Sequence, residues 1–244
     1  MGRTTWDYAC VKQINSQIQY IYCGEILSPV FGEKVWDVKN IARHRIFVSQ
    51  GSYPLKGLHK LIEAFPMILK AYPDSEIVVA GPNILDDRTL IARIKRTTYA
   101  KYIIKLIQKL QIPKDKIRFT GSLKADEMLE QYLYANVYVL PSAIENSPNS
   151  LGEAMLLGMP CVASCVGGVQ DMVRDKVDGF LYPFDESYML AHYICEIFKD
   201  DEMARKMGAK ARESARRRFD TNEVVKITAS TYRRIMGKKG YSHE

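Results

Sequence analysis

From about residue 46 onward the chain alternates short apolar β-runs with amphipathic helical stretches, and this pattern limits the fold more than any other feature. Ile46 to Ser49 reads as a strand, Leu58 to Lys70 as a helix, and Glu76 to Ala80 as a buried strand that ends at Gly81 and Pro82. A long helical stretch from Arg88 to Leu110 is followed by a strand at Lys116 to Thr120, a helix at Lys124 to Tyr134 and a strand at Val137 to Leu140. A helix at Asn149 to Leu157, a strand at Pro160 to Ala163, a Gly167-Gly168 turn, a short helix and a last strand at Gly179 to Leu181 complete the series. Parallel strands need crossover helices, so the alternation predicts an α/β fold: a Rossmann-like parallel sheet with helices on both faces. Ligands in such folds sit outside the strand C-termini.

Beyond Phe184 only helical periodicity remains, at Glu186 to Lys199, Glu202 to Arg218 and Asn222 to Met236, with Asp201 and Asp220 or Thr221 as caps. This predicts an all-helical C-terminal extension and a frayed tail over 237–244. The first 45 residues hold aromatics and turn residues but no complete βαβ unit.

One segment carries chemistry. Between Tyr138 and Val166 the chain reads YVLPSAIENSPNSLGEAMLLGMPCVASCV, a strand, a polar loop closed by Pro148, and a helix opening at Asn149 or Ser150. The free N–H groups and positive dipole end of a helix start favour a phosphate. Glu145 precedes that helix and Glu153 lies inside it, so a ligand with its phosphates on the amides meets a carboxylate at each end. Carboxylates accept hydrogen bonds from sugar hydroxyls.

Composition narrows the classes. With 244 residues, 47% hydrophobic and 26% charged, the chain suits one large or two small globular domains. No apolar stretch approaches the ~20 residues that span a bilayer, and the N-terminus lacks a signal-peptide pattern, so the cytoplasm is the expected compartment. Five scattered cysteines without CxxC spacing argue against a disulfide framework or a zinc site. The net charge of +7 is concentrated in Arg205 to Arg218 and Arg233 to Lys239. No nucleic-acid motif or aromatic interleaving accompanies it, which argues against a nucleic-acid partner and leaves a solvated helix face, an anionic membrane surface or an acidic substrate.

PSAIENSPNSLGEAMLLGMPCVAS followed by VGGVQDMVRDKVDGFLY resembles the C-terminal, donor-binding half of the retaining GT-B glycosyltransferases of family 4. Their hallmark is two glutamates with seven residues between them. YPLKG, VVAGP and IRFTGSL arrive in the same order, and the resemblance covers roughly residues 46 to 236. It implies a nucleotide-diphosphate sugar (UDP-, GDP- or ADP-linked) as donor substrate, a glycan or lipid-linked acceptor, polysaccharide biosynthesis as a setting, and no metal or other cofactor. Asp86-Asp87 reads as a helix N-terminus rather than as a metal motif.

By the same resemblance Glu145 contacts the donor sugar and Lys56 stabilises the departing nucleotide, as the catalytic pair. Glu153 holds the ribose, and the backbone of Ser147, Asn149, Ser150 and Leu151 cradles the diphosphate. Gly81, Gly121 and Leu123, at strand C-termini, stand beside the base. One departure concerns the phosphate: where relatives carry an arginine this chain has Gln50 and Gly51, so Gly51 and Ser52 amides, Arg3, Lys60 or a base from another part of the protein must substitute. The plainer readings are a loop carboxylate for Glu145, dipole compensation for Glu153 and a turn lysine for Lys56; His44 and His59 stand isolated. The resemblance further implies domain limits: 1–45 as the end of an acceptor domain plus the interdomain segment, 46–236 as the nucleotide-sugar domain, and Val224 to Met236 as a helix whose partner is the missing N-terminal domain. A non-catalytic sugar-nucleotide module or partner subunit is the alternative function, and peripheral contact with the inner membrane face the alternative location.

Overall fold

A computed structural model describes residues 1–86 and 97–239. Six parallel strands, β1 (Arg45–Val48), β2 (Glu76–Val79), β3 (Ile117–Phe119), β4 (Val137–Leu140), β5 (Cys161–Ser164) and β6 (Phe180–Tyr182), form one sheet in the order β3-β2-β1-β4-β5-β6. The inner strands β4 and β5 are buried along their whole length, and their apolar side chains point to both faces because both are covered. The helices are α1 (Thr5–Ile14), α2 (Val30–Glu33), α3 (Leu58–Ala71), α4 (Thr98–Lys109), α5 (Ala125–Tyr134), α6 (Asn149–Leu157), α7 (Ser187–Lys199), α8 (Asp201–Arg218) and α9 (Thr221–Lys239). α3 packs on α4 and α7, while α6 packs on α2, α5 and α8. The predicted α/β architecture and helical C-terminal end are therefore present, and α7 and α8 close over the sheet's helical layers.

Boundaries moved where local chemistry decided them. The stretch expected from Arg88 to Leu110 becomes α4, whose N-cap Thr97 accepts from Ala100 N–H; residues 88–96 and Asp87 lie outside the described residues. Asp200, rather than Asp201, caps α8 by accepting from Met203 N–H at 2.9 Å. Asp220 caps α9, accepting from Glu223 N–H at 3.0 Å. That helix runs through Gly237 to Lys239 rather than stopping at Met236, and 240–244 lie outside the described residues.

The basic run of α8 is largely engaged within the fold. Arg212 donates to the carbonyls of Gly32 and Lys34, each at 2.8 Å, and to Leu156 O at the end of α6. Arg218 reaches the carbonyls of Asp171 and Arg3, both at 3.0 Å. Arg205 pairs with Glu202 and Arg217 with Glu213. The segment before β1 is tied to the same region: buried Trp36 donates its indole N–H to Ala135 O and its backbone N–H to Leu157 O, both at 2.8 Å. Among the described residues, no helix is long and apolar enough to cross a membrane.

The turn after β1 is locked onto the end of β4. Ala143 N–H donates to Leu55 O at 2.8 Å, and Gly57 turns the chain with φ of 66°. A Cβ on Gly57 would stand 1.6 Å from Pro141 O, so the two loops touch backbone to backbone. Gly57→Ala is expected to cost about 2 kcal/mol or more, because the left-handed backbone and the collision add. Gly121→Ala, with φ of 81° and open space around the new methyl, is expected to cost about 1–2 kcal/mol through backbone strain alone. Urea unfolding of the two variants checks the order. Arg212→Ala is expected to cost about 1–2 kcal/mol through its stranded carbonyls, while exposed Arg216→Ala stays within about 0.5 kcal/mol. Equal effects on the same unfolding curves would refute the capping role.

Candidate active site

The strand order reverses between β1 and β4, and the crevice that opens at such a reversal, beyond the strand C-termini, is the expected place for a ligand. A cavity of about 430 Å³ occupies it, lined by Ser49, Gln50, Lys56, Met128, Glu145, Ser147, Pro148, Asn149, Ser150 and Glu153. β1 runs into Ser49 and Gln50; the locked turn presents Lys56; the loop after β4 carries Glu145; α6 supplies its first turn and Glu153.

Lys56 and Glu145 come from segments 89 residues apart yet form an ion pair, Nζ to Oε1 at 2.6 Å, with side chains 23% and 12% exposed. The ammonium is therefore at the cavity wall and already neutralised. Glu153 is different. Burial pushes its carboxyl above the ordinary value of 4.5, and a hydrogen bond from the Tyr132 hydroxyl at 2.9 Å opposes that push. No salt bridge to Glu153 is found among the described residues.

α6 opens without a side-chain cap. Its N-cap is Pro148, and the first intrahelical bonds run from Leu151 and Gly152 N–H to Pro148 O, both at 3.2 Å. Asn149 and Ser150, whose N–H groups come before those bonds at the positive end of the helix, line the cavity.

The Gly167-Gly168 turn supports the Glu145 loop from behind. Gly168 N–H donates to Glu145 O at 3.0 Å, and a Cβ on Gly167 would lie 2.0 Å from the same oxygen. The N-terminal segment clamps the loop as well: Asn146 donates to Asp7 Oδ2 at 2.8 Å and accepts from the Thr4 hydroxyl. Thr4 is the N-cap of α1, so a helix start far off in sequence fixes the residue next to Glu145.

Of the predicted residues, Lys56, Glu145, Ser147, Asn149, Ser150 and Glu153 meet in one cavity. Leu151 is fully buried behind the first turn of α6. Gly51 is buried and outside the cavity lining, and a Cβ there would lie 2.8 Å from Leu58 and 2.9 Å from Val79, so close packing requires glycine at this position. Gly81 and Gly121 exchange backbone hydrogen bonds of 2.9 and 3.1 Å past the ends of β2 and β3, and Leu123 packs against the core there; all three lie outside the cavity lining. Neither proposed substitute cation lines it: Arg3 pairs with Glu25 at 2.7 Å, and Lys60 with Asp185 at 3.1 Å and Glu63 at 3.4 Å. His44 pairs with Asp74 at 2.8 Å, and burial lowers the pKa of His59 beside Tyr99. Among the described residues, no three His, Cys, Asp or Glu side chains form a group able to hold a metal.

Sequence reasoning missed Ser49, Met128 and the tyrosines behind the wall, Tyr132 and Tyr138. A signal existed for the last two. Tyrosine at the buried positions of an apolar strand and helix must find a partner for its hydroxyl.

The sequence profile of the family described as glycosyl transferases group 1 matches residues 37–214. N-acetyl-alpha-D-glucosaminyl L-malate synthase of Bacillus anthracis is 30% identical over 130 residues, 53% of this chain and 33% of that protein. D-inositol 3-phosphate glycosyltransferase of Corynebacterium urealyticum is 27% identical over 184 residues, 74% of this chain and 41% of that protein. The chain thus spans less than half the length of these curated relatives. Its fold is similar to that of sucrose-phosphate synthase from Thermosynechococcus elongatus, with a TM-score of 0.78 at 22% identity over 97% of this chain and 58% of that one. Anabaena Alr3699/HepE in complex with UDP-glucose gives a TM-score of 0.76 at 20% identity over 97% of this chain and 63% of that one. With the profile extending over most of its length, the chain belongs to the group 1 glycosyl transferases.

Proposed function

We propose that this chain is the donor-binding part of a retaining glycosyltransferase, which moves a hexose-like unit from a nucleotide-diphosphate sugar to a glycan or lipid-linked acceptor. The observation that carries the reading is the convergence of an uncapped helix start, one lysine and two differently placed carboxylates in the crevice where the strand order reverses. The N–H groups at the start of α6 receive the diphosphate, and Glu153 receives the ribose hydroxyls. Glu145 holds the sugar hydroxyls while Lys56 turns from it toward the leaving phosphate. As the bond from the anomeric carbon to the phosphate oxygen breaks, charge grows on that oxygen, and a preorganised ammonium is most effective there. The acceptor oxygen bonds to the same carbon on the same face, and its proton passes to the departing phosphate. No side chain acts as nucleophile in this scheme.

Acceptor recognition is assigned to the length by which the relatives exceed this chain, with residues 1–45 leading from it into the nucleotide-sugar domain at 46–236. The proposed location is cytoplasmic, with a lipid-linked acceptor drawing the protein to the inner membrane face. UDP-glucose, held by the Anabaena protein, makes a uridine nucleotide the first ligand to titrate.

Titration calorimetry with UDP, GDP and ADP tests the reading: one of them is expected to bind, and Lys56→Ala to weaken that diphosphate about tenfold while sparing the nucleoside. A folded chain that binds none of the three would sink the donor-site claim, and binding without donor hydrolysis or transfer would favour the non-catalytic module. Glu153→Gln is expected to separate stability from binding. The folded pKa of Glu153 is raised, so its neutral form favours folding fully below the unfolded value near 4.5, and this contribution is lost as pH rises through the folded value. The variant is therefore more stable than the parent at neutral pH, equal to it in acid, and about tenfold or more weaker for nucleotide. Thermal melts across pH beside calorimetry check both directions.

A further inference from the structure

Tyr132 and Tyr138 are fully buried where phenylalanine would fill the same space. The Tyr138 hydroxyl shares a hydrogen bond with Ser49 Oγ at 3.0 Å and donates to Ser150 Oγ at 2.8 Å, joining the end of β1 to the first turn of α6. The Tyr132 hydroxyl lies 2.9 Å from Glu153 Oε2 and 3.0 Å from Ser150 O. It has one proton to give, and an ionised carboxylate is the stronger acceptor. The ring cannot drift, because Phe31 and Phe47 hold it edge to face at centroid distances of 5.9 and 4.9 Å.

We infer that Tyr132 is a positioning residue for ribose recognition: its hydroxyl ties down Oε2 of Glu153 and leaves Oε1 to the vicinal hydroxyls of a nucleotide. This rests on the donor-binding reading above. Among the described residues, the groups that face Glu153 are few. α5 presents Tyr132 and β4 presents Tyr138, and burial pushes both upward, so they stay neutral. Across the cavity Lys56 and Glu145 neutralise each other. On the far side, Glu33 of α2 is at the surface and Arg212 of α8 is bound to Leu156 O at the opposite end of α6. The Tyr132 hydroxyl is therefore what opposes the effect of burial on this carboxylate.

Calorimetry of the full chain against pH, with UDP and its 2′,3′-dideoxy analogue, tests the inference. In Tyr132→Phe the affinity for UDP is expected to fall about tenfold. The acid limb of binding moves to higher pH, and discrimination between UDP and the analogue shrinks. Tyr138→Phe leaves the acid limb in place. A uniform loss with the limb and discrimination unchanged overturns the inference and makes Tyr132 a core residue only. If Tyr132→Phe does not fold, 3-fluorotyrosine at 132, a stronger donor of nearly the same shape, should move the limb to lower pH; no movement overturns the inference. Carbon NMR of the Glu153 carboxyl in the unliganded chain separates this inference from the donor reading. Wild-type protein that binds no nucleotide defeats that reading, whereas an unchanged Glu153 titration in Tyr132→Phe defeats the link between the two side chains.

Discussion

All six strands run parallel, so every strand ends on the same edge of the sheet, and at β1 and β4 the connections leave in opposite directions. The loops that follow these two neighbours must part, and the space between them cannot be filled by either crossover. The site depends on that divergence. Lys56 rides on the loop after β1, Glu145 on the loop after β4, and the helix that begins the β4 crossover lines the gap with its first residues, Asn149 and Ser150. The contact of Gly57 with Pro141 sets how closely the loops can approach before they separate.

The cavity treats its two carboxylates differently, and the contrast with a structural carboxylate is informative. Asp178 is fully buried and saturated: it accepts from Arg174 N–H at 2.6 Å, Arg174 Nε at 2.7 Å and Ser214 Oγ at 2.9 Å. Among the described residues, Glu153 has a single phenol as its hydrogen-bond donor, and it faces open volume. A buried charge left short of partners opposes folding, and such groups cluster where a ligand will complete them. Glu145 needs no such completion, because Lys56 already supplies it, and any ligand here must exchange that pairing for one of its own.

Part of the positive charge on α8 is architectural. Arg212 and Arg218 end on backbone carbonyls of segments distant in sequence, and several neighbours pair along α8 itself. The N-terminal segment likewise serves the site, since Thr4 and Asp7 hold Asn146 between Glu145 and Ser147. Residues without a complete βαβ unit of their own thus help fix the loop that carries Glu145.

The apolar alternation determined the strands, their parallel sense and the helices between them, because periodicity and crossover geometry are local properties of the chain. The spacing of Glu145, the helix start and Glu153 was legible for the same reason: all three lie within one strand-turn-helix unit. Tertiary structure alone decided the rest. It joined Lys56 to Glu145, turned Lys60 and Arg3 to other partners, packed Gly51 against Leu58 and Val79, and set Tyr132 under Glu153. A charge or hydroxyl takes its partner from whatever three-dimensional packing brings within about 3 Å, and between segments this far apart in the chain no spacing rule specifies that distance.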